Sequence, residues 1–206
     1  MVAAFQEFLN TCAVSFDLPI LDWIQAHLQS TALDVSMPII TLLGDAGIFW
    51  IAWAVLLLLF PKTRKIGLGM GFALIMGLLV CNVTLKPLIA RPRPYDFQEA
   101  EFGVIIQLLI ERQHDFAFPS GHTIASFEAA TVLLKNSKKM GIPAMILAVL
   151  VSFSRLYLFV HYPTDVIASV ILGTLFALIG VWVMKKYYDK LPEKIRTLRL
   201  PAGKKA

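Results

Sequence analysis

Five apolar stretches, at about residues 38–60, 66–85, 120–135, 141–160 and 164–184, decide what this chain can become. A helix needs ~20 residues to cross a ~30 Å hydrocarbon core, and all but one of the stretches reach that length. The exception, 120–135, reaches the headgroups only if Lys135 and its neighbours snorkel outward. Short polar segments punctuate the series: Pro61 to Lys65, Asn136 to Lys139, and Tyr162-Pro163, whose proline suits the first turn of a helix. With 57% hydrophobic and 16% charged residues and a mean hydropathy of +0.70, the chain is too apolar for an ordinary soluble domain. The expected fold is an all-α, polytopic transmembrane helix bundle of about five spans with interfacial amphipathic helices beside it.

Charge sets the expected orientation. Residues 1–37 carry no Lys or Arg, whereas Lys62, Arg64 and Lys65, then Lys135, Lys138 and Lys139, then eight cations from Lys185 onward fall on one side of a five-span chain. That side should be cytoplasmic. The N-terminus, the 86–119 loop and the Arg155 to Asp165 connection are then extracytoplasmic, and Lys86, Arg91, Arg93, Arg112 and Arg155 are the exceptions to the charge rule. Three parts follow: an N-terminal interfacial segment 1–37, a transmembrane catalytic region 38–184 and a basic tail 185–206 that anchors to anionic inner-leaflet lipids. Ile20, Leu21, Ile24 and Leu28 follow helical spacing, so residues ~18–30 read as an amphipathic helix lying in the outer interface. The apolar residues from Phe102 to Ile110 read as a short amphipathic helix over the bundle. Cys12 falls in the N-terminal segment and Cys81 inside an expected span, so no disulfide is expected, and nothing points to nucleic acid.

Against this apolar background, three segments concentrate polar chemistry: Lys86 to Pro94, Pro119 to His122, and Ser154 to Asp165. Ionisable groups are expensive at a bilayer and mark a site by default. Phosphoryl transfer needs this set, because the protein's task is to position a phosphoryl group and neutralise its equatorial oxygens. Lys86, Arg93 and Arg155 supply positive charge. A histidine attacks phosphorus only when neutral and oriented, and His161, four residues before Asp165, has a carboxylate at the right spacing to do both. His122, after a Pro-Ser-Gly turn, is placed to protonate a departing oxygen. No metal and no cofactor is called for. Glu128, two turns beyond His122, reads as a structural carboxyl inside the bundle, Asp45 as a local cap without catalytic duty, and His114 as an exposed loop residue.

These three segments together resemble the motifs of the type 2 phosphatidic acid phosphatase (PAP2) superfamily. The first, Lys followed after six residues by Arg-Pro, is Lys86 with Arg93-Pro94, leaving Arg91-Pro92 as a decoy pair two residues early. The second is Pro119-Ser120-Gly121-His122. The third is Ser154-Arg155, His161 and Asp165. The resemblance covers roughly residues 38–184 and implies a metal-independent membrane lipid phosphatase. In it, His161 forms a phosphohistidine, Asp165 orients it and His122 acts as acid. Lys86, Arg93, Ser120, the Gly121 amide and Arg155 hold the phosphoryl oxygens. Undecaprenyl diphosphate is the expected substrate, with phosphatidylglycerophosphate or phosphatidic acid as the alternative. A non-catalytic lipid-phosphate binder or transporter is the reading from a different class.

Overall fold

The computed structural model describes residues 2–197, so the end of the basic tail, 198–206, lies outside the described residues. The chain is helical throughout, with no strand among the described residues. Helix α1 (Val2–Cys12), a π-helical run (Ala13–Asp17) and α2 (Leu18–Leu28) follow one another with helical backbone at both junctions. Their buried residues, Leu9, Ala13, Asp17, Leu18, Leu21 and Ile24, form one stripe at helical spacing, with Phe8, Val14, Phe16 and Trp23 exposed opposite. The amphipathic helix thus begins far earlier than residue 18, and its buried face includes a carboxylate.

Helix α3 (Thr31–Leu42) starts at Ser30, whose hydroxyl accepts the Leu33 amide at 3.4 Å, and runs through the 37/38 position without a break. It is followed by a one-turn 3₁₀ segment (Asp45–Gly47) and α4 (Ile48–Leu59), and the two helices bend by 40° at that break. Next come α5 (Arg64–Gly77), a π-helical run (Leu78–Leu85), α6 (Lys86–Ile89) and α7 (Pro94–Phe102). The bundle closes with α8 (Gly121–Asn136), α9 (Lys138–Tyr157), α10 (Pro163–Tyr187) and a short α11 (Glu193–Thr197).

Among the described residues, three helical runs, Arg64–Phe102, Lys138–Tyr157 and Pro163–Lys190, are long and apolar enough to cross a membrane, and the bent α3–α4 pair makes four. The expected count of five is reached only by adding α8, which has 16 residues. That helix stands at the centre, packed by α4, α5, α9 and α10. Its polar residues Thr123, Ser126, Glu128 and Thr131 are all buried against protein. A helix packed by four others need not present an apolar surface to the bilayer, so a short and partly polar sequence is tolerated there. Around it the helices approach closely: a Cβ on Gly180 of α10 would stand 2.6 Å from the Gly69 carbonyl of α5. Small residues at such crossings let packing hold a bundle where lipid offers no hydrophobic drive.

The segment between α7 and α8 is not the amphipathic helix expected over 102–110. Gly103, in the left-handed region with φ 66°, ends α7, and the chain then runs irregularly to Ser120. Ile106, Leu108 and Ile110 are half-buried against the core while Ile105 and Leu109 face outward. Burial at every second residue is the period of an extended chain.

Candidate active site

A cavity of about 700 Å³ opens on the end of the bundle where α6, α7, α8 and α9 meet, and continues between α4 and α5. One end is lined by Lys86, Arg93, Gly121, His122, Arg155 and His161; the other by Ile51, Ala54, Val55 and Leu58 of α4 and Leu74, Ile75 and Leu78 of α5. A cationic seat is therefore joined to an apolar slot.

Each group in the seat is placed by a helix end. Lys86 opens α6, and Arg93 stands in extended backbone immediately before Pro94 starts α7. Gly121 and His122 begin α8 behind Ser120, whose hydroxyl caps the helix by accepting from the Thr123 amide and hydroxyl at 3.5 and 3.0 Å. Ser120 is fully buried and absent from the cavity wall, as is Ser154, whose hydroxyl donates to Val151 O at 2.6 Å. Pro119 precedes the cap. Arg155, at the end of α9, donates to Thr41 Oγ1 at 2.7 Å, and its buried Nε has no partner among the described residues. A cation so placed has bonding capacity left for an anion in the cavity.

His161 occupies the turn between α9 and α10. Arg93 Nη1 lies 2.8 Å from its Nε2, and a guanidinium can only donate, so Nε2 carries the lone pair and the proton sits on Nδ1. That proton points to Asp165 Oδ2 at 3.4 Å. Burial, reinforced by Arg93, Arg155 and Lys86, holds the imidazole well below the ordinary histidine range, so it is neutral. Asp165, third residue of α10, also accepts the Tyr162 amide at 3.0 Å in a capping arrangement. The imidazole is neutral and oriented, but its one lone pair accepts from Arg93 here, so attack on phosphorus requires that guanidinium to turn its N–H to a phosphate oxygen first.

The other histidine differs in its surroundings. His122 Nε2 is 3.4 Å from Asp45 Oδ1, and the Asp45 side chain is 63% exposed. Asp45 is thus not merely a local cap: it comes from the break between α3 and α4 to face His122. Gly44 beside it permits the approach, since a Cβ there would lie 2.7 Å from the His122 ring. His114 lines the cavity as well. Glu128 is 1% exposed, stands in the cavity wall and has an Oε1 without a partner among the described residues; a Cβ on Gly77 would meet that oxygen at 2.3 Å.

Three residues escaped the sequence reading. Arg91 does not line the cavity, yet it donates to Asp165 Oδ1 at 2.5 Å, to Asp17 Oδ2 at 2.8 Å and to Thr164 Oγ1 at 2.8 Å, and stacks over Tyr162 at 3.6 Å. Asp17 in turn accepts the Thr164 amide at 2.9 Å. The N-terminal helix is therefore bolted, through Arg91, to the carboxylate behind His161. Asp17 stood in an apolar helical stripe, a visible signal; Arg91 had none beyond its motif neighbour. The third, Asp115, contacts both Lys86 and Arg93. No cluster of His, Cys, Asp and Glu suited to a metal ion occurs among the described residues.

Comparison with known proteins identifies what the chain is similar to. The undecaprenyl-diphosphatase of Sulfolobus acidocaldarius is 38% identical over 135 residues, which cover 65% of this chain and 63% of that protein. The crystal structure of Aquifex aeolicus LpxE superposes with a TM-score of 0.70 at 25% identity, covering 82% of this chain and 96% of that one. The first transmembrane PAP2 type phosphatidylglycerolphosphate phosphatase from Bacillus subtilis superposes with a TM-score of 0.61 at 28% identity, covering 93% and 97%. The PAP2 superfamily model itself matches residues 66–189, a stretch that holds every motif residue around the cavity, and the chain belongs to that superfamily.

Proposed function

We propose that this protein is a membrane lipid phosphatase that releases inorganic phosphate from a lipid diphosphate, undecaprenyl diphosphate foremost, through a phosphohistidine on His161. The observation that carries the reading is the union of a neutral, oriented His161 Nε2 and three buried cations with an apolar slot between α4 and α5. A phosphate sits in the cationic end while its hydrocarbon chain occupies the slot. His161 Nε2 attacks phosphorus, the bond to the leaving oxygen breaks, and His122 gives that oxygen a proton. Lys86, Arg93 and Arg155, with the Gly121 amide at the head of α8, hold the oxygens as charge spreads over them. In the second half, His122 takes a proton from water, the water oxygen bonds to phosphorus, the P–N bond breaks and phosphate leaves. The cations supply the neutralisation, so the reading includes activity without added metal. It also places the N-terminus and the site on the extracytoplasmic side and the C-terminus in the cytoplasm, from the distribution of Lys and Arg.

A glycerolipid phosphate such as phosphatidylglycerophosphate or phosphatidic acid is the second reading. Glu128 favours it, because an unpartnered oxygen in the slot wall suits a chain with a polar linkage better than a pure hydrocarbon. The test is phosphate release by purified protein in EDTA, with the three lipids in parallel. Release from undecaprenyl diphosphate above the others is expected; release from none would make the chain a lipid-phosphate binder.

A pH profile adds an independent check. Because burial among cations depresses the His161 pKa, its neutral form persists as pH falls through the ordinary value of 6.5. An acid limb of kcat/KM assigned to His161 is therefore expected below that value, and a limb above it contradicts the reading.

A further inference from the structure

Asp115 lies in the irregular segment before α8 and binds the two cations a phosphate would need, Oδ2 on Lys86 Nζ and Oδ1 on Arg93 Nη2. Its main-chain carbonyl accepts from Arg93 Nε at 3.0 Å. The chain is pinned on both flanks: Tyr95 Oη accepts the Gln113 amide at 2.9 Å, and the Ala117 amide donates to Arg91 O at 2.8 Å. Only the side chain is free to leave. It is 54% exposed, against 11% for Lys86 and 3% for Arg93, so a rotation carries the carboxylate into water while the cations stay. Burial opposes its charge, but Arg93 and Lys86 outweigh that and hold the carboxyl below the usual range, so it remains anionic.

We propose that Asp115 is a specificity-determining residue, an internal competitor that occupies the phosphate seat and yields only to a phosphate delivered on a lipid. The inference rests on the cationic cavity being the phosphate site. A carboxylate and a phosphate offer similar anionic oxygens to guanidinium and ammonium, and the pair Lys86 and Arg93 cannot serve both at once. An occupied seat lowers the affinity of every entering anion by the fraction of time it is vacant. A lipid phosphate recovers the loss by burying its chain between α4 and α5, whereas inorganic phosphate and soluble phosphate esters have no chain to bury. The carboxylate thereby also limits retention of the product phosphate.

Calorimetric titration of the full-length protein in detergent with inorganic phosphate tests this, comparing wild type with Asp115→Asn and Asp115→Ala. Phosphate binding at least about tenfold tighter in both variants is expected, with a matching rise in kcat/KM for p-nitrophenyl phosphate. Unchanged or weaker phosphate binding in the two variants overturns the proposal, because a carboxylate that merely holds Lys86 and Arg93 in place would give that result. Thermal melting of each variant confirms that the comparison is made on folded protein. Binding is read without turnover, so a wild type that releases phosphate from no lipid would overturn the catalytic reading and leave this comparison standing.

Discussion

His161→Ala is expected to lower phosphate release by about four orders of magnitude or more and to abolish the acid-labile phosphoenzyme that rapid quenching traps from wild type. A loss of that size corresponds to ~5 kcal/mol of transition-state stabilisation. It exceeds what loss of one charge contact produces, because on the proposed mechanism the substitution removes the atom that bonds to phosphorus. Arg93 separates the two effects. It touches His161 Nε2 and donates to Val160 O at 2.7 Å, so Arg93→Ala weakens phosphate binding and orientation while the nucleophile survives. A trapped intermediate should therefore persist in Arg93→Ala, reduced in rate, and vanish in His161→Ala. Labelled intermediate in His161→Ala would show that another residue attacks phosphorus.

The groups that line the cationic end of the cavity were legible because chemistry dictates their kind and the chain keeps them in short motifs. Lys86, Arg93, Gly121, His122, Arg155 and His161 all line one cavity, although they come from three separate segments. The groups that support them were not legible, because each meets its partner across a long stretch of chain. Arg91 and Asp165 are 74 residues apart, as are Arg91 and Asp17, and no local pattern encodes either contact. For the same reason Asp45 read as a local cap and Asp115 was not singled out. Helix α8 misled in another way: Thr123, Ser126, Glu128 and Thr131 weaken its apolar signature because the helix is packed by four others and fronts the cavity. In the segment after Phe102, apolar residues fit both a helical and an extended period. Gly103 at φ 66° and the packing of Ile106, Leu108 and Ile110 decide for the extended one.

Arg91→Ala should be the most destabilising single substitution near the site, although Arg91 does not line the main cavity. Its guanidinium is 2% exposed and pairs with two carboxylates that are 0% exposed, Asp17 at 2.8 Å and Asp165 at 2.5 Å. Removing the cation leaves two buried carboxylates facing each other with only the Tyr162 amide, His161 Nδ1 and the Thr164 amide and hydroxyl as donors, a change that costs about 3–5 kcal/mol. For a chain of this size that is a fall of roughly 10 °C in melting temperature. Arg91→Lys does not restore it, since one ammonium cannot span Asp17, Asp165, Thr164 Oγ1 and the Leu9 carbonyl, which the guanidinium reaches together. Catalysis should fall with stability, by about 10- to 100-fold in kcat, because Asp165 loses the contact that fixes it behind His161. Adding Asp17→Asn to Arg91→Ala removes one of the stranded charges and should recover part of the melting temperature. It should not recover kcat, which depends on Asp165. Equal recovery of both would mean that the N-terminal helix, rather than the Arg91–Asp165 contact, governs the nucleophile; no loss of either in Arg91→Ala would mean that the bolt between the two carboxylates carries no load.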